Sequence, residues 1–512
     1  MKVATSCSQC RAAKRKCTAG PVPHSACMPC LQRRQDCSLS ARSDSTYPKS
    51  LAPAVSVPFN HRDISTTDDR ADVEDDVRDQ LVDLYLKLIH DKPHTLFHPS
   101  SLKTRIRNGS LPRSILFSIL TLAARFVSHP DIRQRVQAFF EAAKNSVKKA
   151  IDEVSLDNIH ATILIGNICG AEGDPNGESL FFGIAFRMAQ ILRLPEPAPE
   201  DDAISQEIKL RTWWSLYMID QWSSAGLDIP RQIHDSGRYR LPMPEVEFWN
   251  LTGGQSIAID RQNFQPGLWG YMVILAKVFG GIQQLHRQLT DGALTDVDAE
   301  LKTRQLASEL EAFTRSLPPD LTLTPENLHR HAMLGLGQSF VALHLGYHHY
   351  STLLYFQYLD VHLARIPNQT LFAARCKHHA AALSDLLRTA SECPGCDAVY
   401  FIVAHMTVIS SSALLHTLLF GEPDELPDTK RRLFYNFQVL LKLKEYWSDV
   451  EMMVCMRSID RVYTVDKWIV KFLLQHALPI EGDQRLPVTP GLAERDRYAE
   501  DALAILRSAG FD

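Results

Sequence analysis

The 512-residue chain is 45% hydrophobic and 22% charged with a formal net charge of −4, a profile with enough apolar residues for a sizeable core and for more than one domain. The near-neutral total is uneven: residues 1–42 carry Lys2, Arg11, Lys14, Arg15, Lys16, Arg33, Arg34 and Arg42 against Asp36 alone, so this head holds +7 and the remainder −11, which points to a polyanion partner for the head only. The polar, charged N-terminus lacks the apolar stretch of about 7–15 residues that marks a secretory signal. The longest strongly apolar stretch, Ile115 to Val127, falls short of the roughly 20 residues that span a bilayer, so exported and membrane-spanning classes are disfavoured and reduced thiols are expected.

Six of the 11 cysteines, Cys7, Cys10, Cys17, Cys27, Cys30 and Cys37, fall in the head with the pattern C-x2-C-x6-C-x9-C-x2-C-x6-C. The second half repeats the first. A C-x2-C knuckle lets two thiolates converge on one tetrahedral metal, and a third ligand six residues on arrives from a short helical turn and its return. Two separate four-coordinate zinc ions need eight sulfurs, so six suffice only if two of them bridge both metals. A segment this small cannot build a stabilising core, and metal binding has to supply its folding free energy. A redox site or an iron–sulfur site is the competing chemistry, but the latter ordinarily takes four ligands without duplicated halves.

The spacing and the basic run Cys10-Arg11-Ala12-Ala13-Lys14-Arg15-Lys16-Cys17 resemble the fungal-type binuclear zinc cluster of fungal transcription factors. That resemblance implies two zinc ions bridged by Cys7 and Cys27, with Cys10 and Cys17 completing one site and Cys30 and Cys37 the other. It also implies a double-stranded DNA partner with CGG-like sites, Lys14 reading the triplet. Lys and Arg donate to guanine O6 and N7 in the major groove, while other basic side chains hold phosphates. Arg11, Arg15, Lys16, Arg33 and Arg34 are the candidates for phosphate contacts, with solvated charge or a nuclear import signal as the alternative, above all for Arg33, Arg34 and Arg42.

Residues 43–79 are rich in Ser, Thr, Pro and Asp, ending in the acidic run Asp63 to Asp79, and the composition predicts a disordered acidic linker. Val77, Leu81, Leu84 and Leu88 have 4-3-4 spacing. A dimer-forming coiled coil needs three or four heptads, so these residues are expected to open the first helix of the next domain. A homodimer, through that domain or otherwise, stays open.

From 80 to 480 the chain is expected to be a large all-α domain. Apolar residues recur at three and four spacing in Leu81 to Ile89, Ile115 to Val127, Val136 to Ile151, Leu180 to Leu192, Ile208 to Trp222, Trp269 to Leu289, Phe340 to Leu359 and Ile402 to Leu419. Pro, Gly and Asn punctuate them, as in Asp174-Pro175-Asn176-Gly177. Gly183 to Gln190, with Leu192-Arg193-Leu194, and Glu207 to Asp220, which contains Trp213-Trp214, resemble segments of the fungal-specific transcription factor domain, an all-α regulatory domain. Leu210 interrupts the family's basic run and Gln221 stands where Arg commonly follows the Asp. The two tryptophans are expected in the core, with Glu207, Lys209 and Arg211 as surface or interhelical pairs.

His344 and His348 stand at i, i+4, a chelating spacing without an evident third ligand, and are expected to be partly buried and satisfied. Cys393-Pro394-Gly395-Cys396 is a single C-x2-C expected in a loop. No G-x-S-x-G, P-loop or H-E-x-x-H occurs, and a non-enzyme is expected. Residues 481–512 form a tail whose acidic-hydrophobic mixing fits an activation segment that recruits transcription machinery or coactivators, or a terminal helix. The sequence thus leads to a mostly α protein: a small zinc-stapled N-terminal cluster domain (1–42), a linker (43–79), a helical regulatory domain (80–480) and a tail. The expected function is that of a nuclear, zinc-dependent transcription factor at RNA polymerase II promoters, controlling a gene cluster for specialised metabolism. Control of nutrient or stress genes, and metal storage or redox chemistry, are the alternatives.

Overall fold

In a computed structural model of the chain, the described residues are 73–447, apart from 93, 228, 234–236, 255–263 and 360–367, together with Lys14, Lys16 and Cys17. The chain divides into two units, Met1–Ile64 and Ser65–Asp512. The regular structure of the second unit is all helix, with no strand among its described residues.

The acidic end of the expected linker begins the first helix, α1 (Asp75–Leu88). Asp75 and Asp76 lie in its first turn and Lys87 in its last, the arrangement the helix dipole favours. Leu81 is buried, and Val77, Leu84 and Leu88 pack half-buried against the same core, so the 4-3-4 stripe is intradomain packing. There follow α2 (Pro99–Arg107), α3 (Arg113–Ala123), the short α4 (Pro130–Arg133), α5 (Val136–Lys149), α6 (Leu156–Ala171), α7 (Pro175–Ile191) and α8 (Ala203–Leu227). The Asp-Pro-Asn-Gly punctuation is a helix start: Pro175 occupies the first turn of α7, and the Asp174 carboxylate accepts from the Gly177 N–H at 2.9 Å.

The second half comprises α9 (Glu245–Trp249), α10 (Leu268–Thr290), α11 (Asp296–Ser316), α12 (Pro325–Met333), α13 (Gly337–Phe356), α14 (Gln369–Glu392), α15 (Ile402–Phe420) and α16 (Leu426–Lys444). Consecutive helices pair, α6 with α7, α13 with α14 and α15 with α16, and α10 packs on α13. Gly166 of α6 makes the first of these pairings close, because a Cβ there would enter the Phe182 ring of α7.

One contiguous core runs from Leu81 to Trp447. Trp447 ties an early segment to a late one: its indole N–H donates to the Val399 carbonyl at 2.7 Å while the Arg125 guanidinium lies 5.3 Å from the ring centroid. Midway, Trp222 donates to the Tyr350 hydroxyl at 2.7 Å, and Tyr350 stacks on Phe279 at 4.5 Å. No helix of the described residues is long and apolar enough to cross a membrane. The tail beyond Trp447 lies outside the described residues.

Candidate functional site

Of the residues expected to bind zinc and DNA, Lys14, Lys16 and Cys17 are described. Lys14 is exposed in a turn at φ +50°, Lys16 is exposed and Cys17 is half-buried. Cys7, Cys10, Cys27, Cys30, Cys37, Arg11, Arg15, Arg33 and Arg34 lie outside the described residues.

In the second unit the prominent polar feature is a buried clamp on α8. Trp214 is buried as expected and donates to the Arg240 carbonyl at 2.7 Å, while Trp213 is half-buried against Tyr239. Of the two roles expected for Glu207 and Arg211, the surface one needs correction and the interhelical one holds: they form an i, i+4 pair within α8, both side chains 0% exposed, with Nε to Oε1 at 3.0 Å, and Arg211 also faces Glu245 and Phe248 of α9. Lys209, on another face, pairs with Asp201 at 2.6 Å.

Burying such a pair costs several kcal/mol per ion unless every donor and acceptor is met. Distant segments meet them here. Arg211 donates through Nη2 to the Met243 carbonyl at 2.6 Å and through Nη1 to the Thr95 hydroxyl at 3.2 Å, and its guanidinium lies 4.4 Å from the centroid of Phe248. Glu207 accepts from the Met243 N–H at 2.9 Å, and its second oxygen lies 2.6 Å from Arg240 Nη2. Glu245, 3.9 Å from Arg211, accepts from the Leu268 and Trp269 N–H groups at 3.0 and 2.9 Å, covering the open donors at the start of α10. Burial raises the Glu245 carboxyl above the usual range, partly offset by Arg211. The clamp ties α8, the segment 240–245, α9 and α10 to one guanidinium.

A second set of polar groups adjoins it. Burial would raise the Asp91 carboxyl, but His90 at 3.1 Å, Arg211 and Thr95 together hold it below the usual range. His94 bridges the Tyr85 hydroxyl at 2.7 Å and the Asn167 amide at 3.2 Å, and burial lowers its pKa well below the usual value. His160 donates from Nε2 to Thr212 Oγ1 at 2.9 Å, because that hydroxyl already donates to the Ile208 carbonyl; burial lowers its pKa to about 4. A small apolar hollow beside His94 and Asn167, lined also by Tyr400 and Trp447, has room for about one water. Nothing in this arrangement opens a nucleophile or a general base to a substrate. What it does is fix helices.

Further along α8, Asp220 accepts from the Gln232 and Ile233 N–H groups at 2.9 and 2.8 Å, and Gln221 accepts from Arg231 at 2.8 Å. A neutral amide at 221 thereby takes up an arginine supplied ten residues on. His344 and His348 do not converge on a shared ligand point: His344 Nε2 donates to the Leu321 carbonyl at 3.0 Å, and His348 Nδ1 faces His379 Nδ1 at 3.1 Å. Among the described residues no group of three or more His, Cys, Asp or Glu is placed to hold a metal ion.

With this geometry in view, comparison with known proteins is informative. Residues 82–313 match the family model of the fungal specific transcription factor domain. Its bounds enclose α2 to α10, the second half of α1, most of α11, and every residue of the clamp. The Zn(2)-C6 fungal-type transcription factor FTF1c of Fusarium oxysporum f. sp. lycopersici is 23% identical over 428 residues, 74% of this chain and 45% of that protein. FTF2 of the same organism, also a Zn(2)-C6 fungal-type transcription factor by name, is 21% identical over 423 residues, 74% of this chain and 39% of its own length. An uncharacterized transcriptional regulatory protein of Schizosaccharomyces pombe is 23% identical over 307 residues, 53% of this chain and 37% of the relative. The chain thus spans less than half the length of these curated relatives. Domain match and relatives together support a fungal transcription regulator.

Proposed function

We propose that this chain is a nuclear, sequence-specific DNA-binding transcription factor of RNA polymerase II promoters, held in its binding form by two zinc ions and reading CGG-like triplets. The observation that carries this reading is the presence in one chain of the duplicated C-x2-C-x6-C head and a segment, 82–313, matched by the fungal specific transcription factor domain. Cys7, Cys10, Cys17, Cys27, Cys30 and Cys37 hold the metals, with residues 1–42 as the cluster domain and 43–79 as tether. Lys14 reads the triplet, and Arg11, Arg15, Lys16, Arg33 and Arg34 hold phosphates. The helical domain regulates output, and the tail from 481 recruits transcription machinery. Its targets, on the strength of the resemblance, are a gene cluster for specialised metabolism, a point that a chromatin-occupancy map decides.

The test is binding of the zinc-loaded chain to labelled duplexes that carry or lack CGG. Chelation should abolish specific binding, and Lys14→Ala should lose discrimination worth about 1–3 kcal/mol while retaining salt-dependent non-specific affinity. Binding that is indifferent to zinc would favour metal storage or redox chemistry over DNA reading. A Lys14→Ala chain with undiminished preference for CGG would remove that residue from base readout.

A further inference from the structure

Outside the clamp, one sequence motif is left without a role: Cys393-Pro394-Gly395-Cys396, between the end of α14 and α15. The Cys396 N–H donates to the Cys393 carbonyl at 3.1 Å, and Gly395 sits at φ +83°. Proline second, a positive φ third and a closing hydrogen bond from fourth to first residue define a type II turn, which brings its terminal Cα atoms within about 7 Å. A disulfide spans Cα separations of about 4.4–6.8 Å. The turn thereby holds the two residues at the kind of separation a disulfide bridges, with Cys393 among the groups that act directly on the Cys396 thiol.

The two sulfurs are unequal in access. Cys393 is half-buried on the rim of the turn, whereas Cys396 is 0% exposed. The Cys396 sulfur rests on the backbone of Gly337, the first residue of α13, where an added Cβ would come within 2.6 Å of it. Burial, then the contact with Cys393, pushes the Cys396 thiol up to about 12, so it stays protonated at neutral pH. Cys169 and Cys376 are buried, with no second cysteine one turn away. Only here, among the described residues, do a part-exposed and a buried cysteine share one turn.

We infer that Cys393 and Cys396 form a redox modification site, at which a hydroperoxide converts the dithiol to an intramolecular disulfide. The Cys393 sulfur, having given up its proton, attacks a peroxide oxygen. The O–O bond breaks, leaving a Cys393 sulfenic acid and, with hydrogen peroxide, one water. The Cys396 sulfur then attacks the Cys393 sulfur as its proton leaves, the S–O bond breaks, and a second water departs. The two thiols lose two electrons and the peroxide gains them. Turn geometry makes the second step faster than over-oxidation of the sulfenic acid, and a dithiol reductant reverses the whole.

The test uses the full-length, zinc-loaded chain, treated with hydrogen peroxide at levels that leave its helical signal unchanged, then alkylated with iodoacetamide and digested with trypsin without reductant. No Lys or Arg lies between Arg388 and Lys430, so both cysteines fall in one peptide. The disulfide is read as a loss of about 2 Da with neither sulfur alkylated, restored by dithiothreitol. Cys393→Ser, at the more accessible position and therefore the variant safest for folding, should leave Cys396 alkylatable after denaturation and give no 2 Da loss. Cys396→Ser should leave a Cys393 sulfenic acid that dimedone traps. Full alkylation of both cysteines in the treated wild type would overturn the proposal, as would a Cys393 found as sulfinic acid or joined to a cysteine other than Cys396.

Discussion

Replacing Arg211 by Met tests whether the buried clamp organises the helical domain. The substitution keeps an unbranched apolar stem but removes the guanidinium that reaches Glu207, Thr95 and the Met243 carbonyl and neighbours Glu245. Breaking a buried ion pair from one side typically costs about 3–5 kcal/mol. The lower end applies here, because Glu207 keeps Arg240 at 2.6 Å and the Met243 N–H at 2.9 Å, and Glu245 keeps two backbone donors. We therefore expect about 3 kcal/mol of destabilisation, measured as a shift in the urea midpoint of the helical signal at unchanged slope. The companion Glu207→Gln, Arg211→Met double variant should lose less than the sum of the single losses, with a coupling of about 1–3 kcal/mol, because removing both charges leaves a smaller uncompensated residue. An Arg211→Met protein within about 0.5 kcal/mol of the wild type, the range of an ordinary surface change, would refute the reasoning.

The buried histidines set an acid limit on stability. Burial lowers His160, His286 and His344 to about 4, against an unfolded value of about 6.5, so between those pH values the unfolded chain binds more protons and stability rises with pH. Urea midpoints should therefore be flat above about pH 7 and fall as pH drops from 6.5 towards 4, each such group contributing up to about 2 kcal/mol of loss by pH 5; a midpoint unchanged between pH 7 and 5 would contradict the assignment. At the turn, Gly337→Ala places a methyl within 2.6 Å of the Cys396 sulfur and 2.7 Å of the Gly395 carbonyl oxygen. Overpacking of this kind costs about 1–3 kcal/mol, and thermal unfolding followed by circular dichroism should show a lowered Tm.

How far this was legible from sequence depended on the kind of contact. Long apolar helices declared themselves whether or not they had a polar face: each of the eight stretches singled out by period coincides largely with a helix, from α1 to α15, including α13, which is buried on nearly all sides. α6 did not, because the buried but polar Asn158, His160, Thr162 and Asn167 interrupt its apolar pattern. α11 and α16 were hidden by a high proportion of charge along the exposed side. The Glu207–Arg211 pair shows the limit at the site. Charges four apart on a helix default to the surface, and what buries these two is backbone and side chain from Thr95, Arg240 and Met243, remote in sequence. The one local sign was Leu210, which broke the expected basic run because it faces the core at 5% exposure.

The clamp and the core have different extents, and that difference bears on where the regulatory domain ends. Every clamp residue lies inside the matched segment 82–313, yet the core is a single cluster that runs on through α13, α14, α15 and α16 to Trp447. Phe340, Leu343 and Leu354 of α13 are wholly buried in it. Ser339 of α13 donates to the Asp91 carbonyl at 3.1 Å, and Trp447 sits against Arg125 and Phe126 in the first third of the domain. A chain cut at 313 would expose the faces of α10 and α11 that α13 covers. The removed apolar surface returns to water at roughly 25 cal/mol per Å², a cost that a domain of ordinary stability, about 5–15 kcal/mol, does not survive once a few large side chains are involved. The folding unit that carries the clamp therefore extends at least to Trp447. A fragment ending at 313 is expected to be aggregated or unfolded, whereas one spanning 73–447 should unfold cooperatively in urea; a cooperative, monomeric 73–313 fragment would show that the later helices are accessory to it.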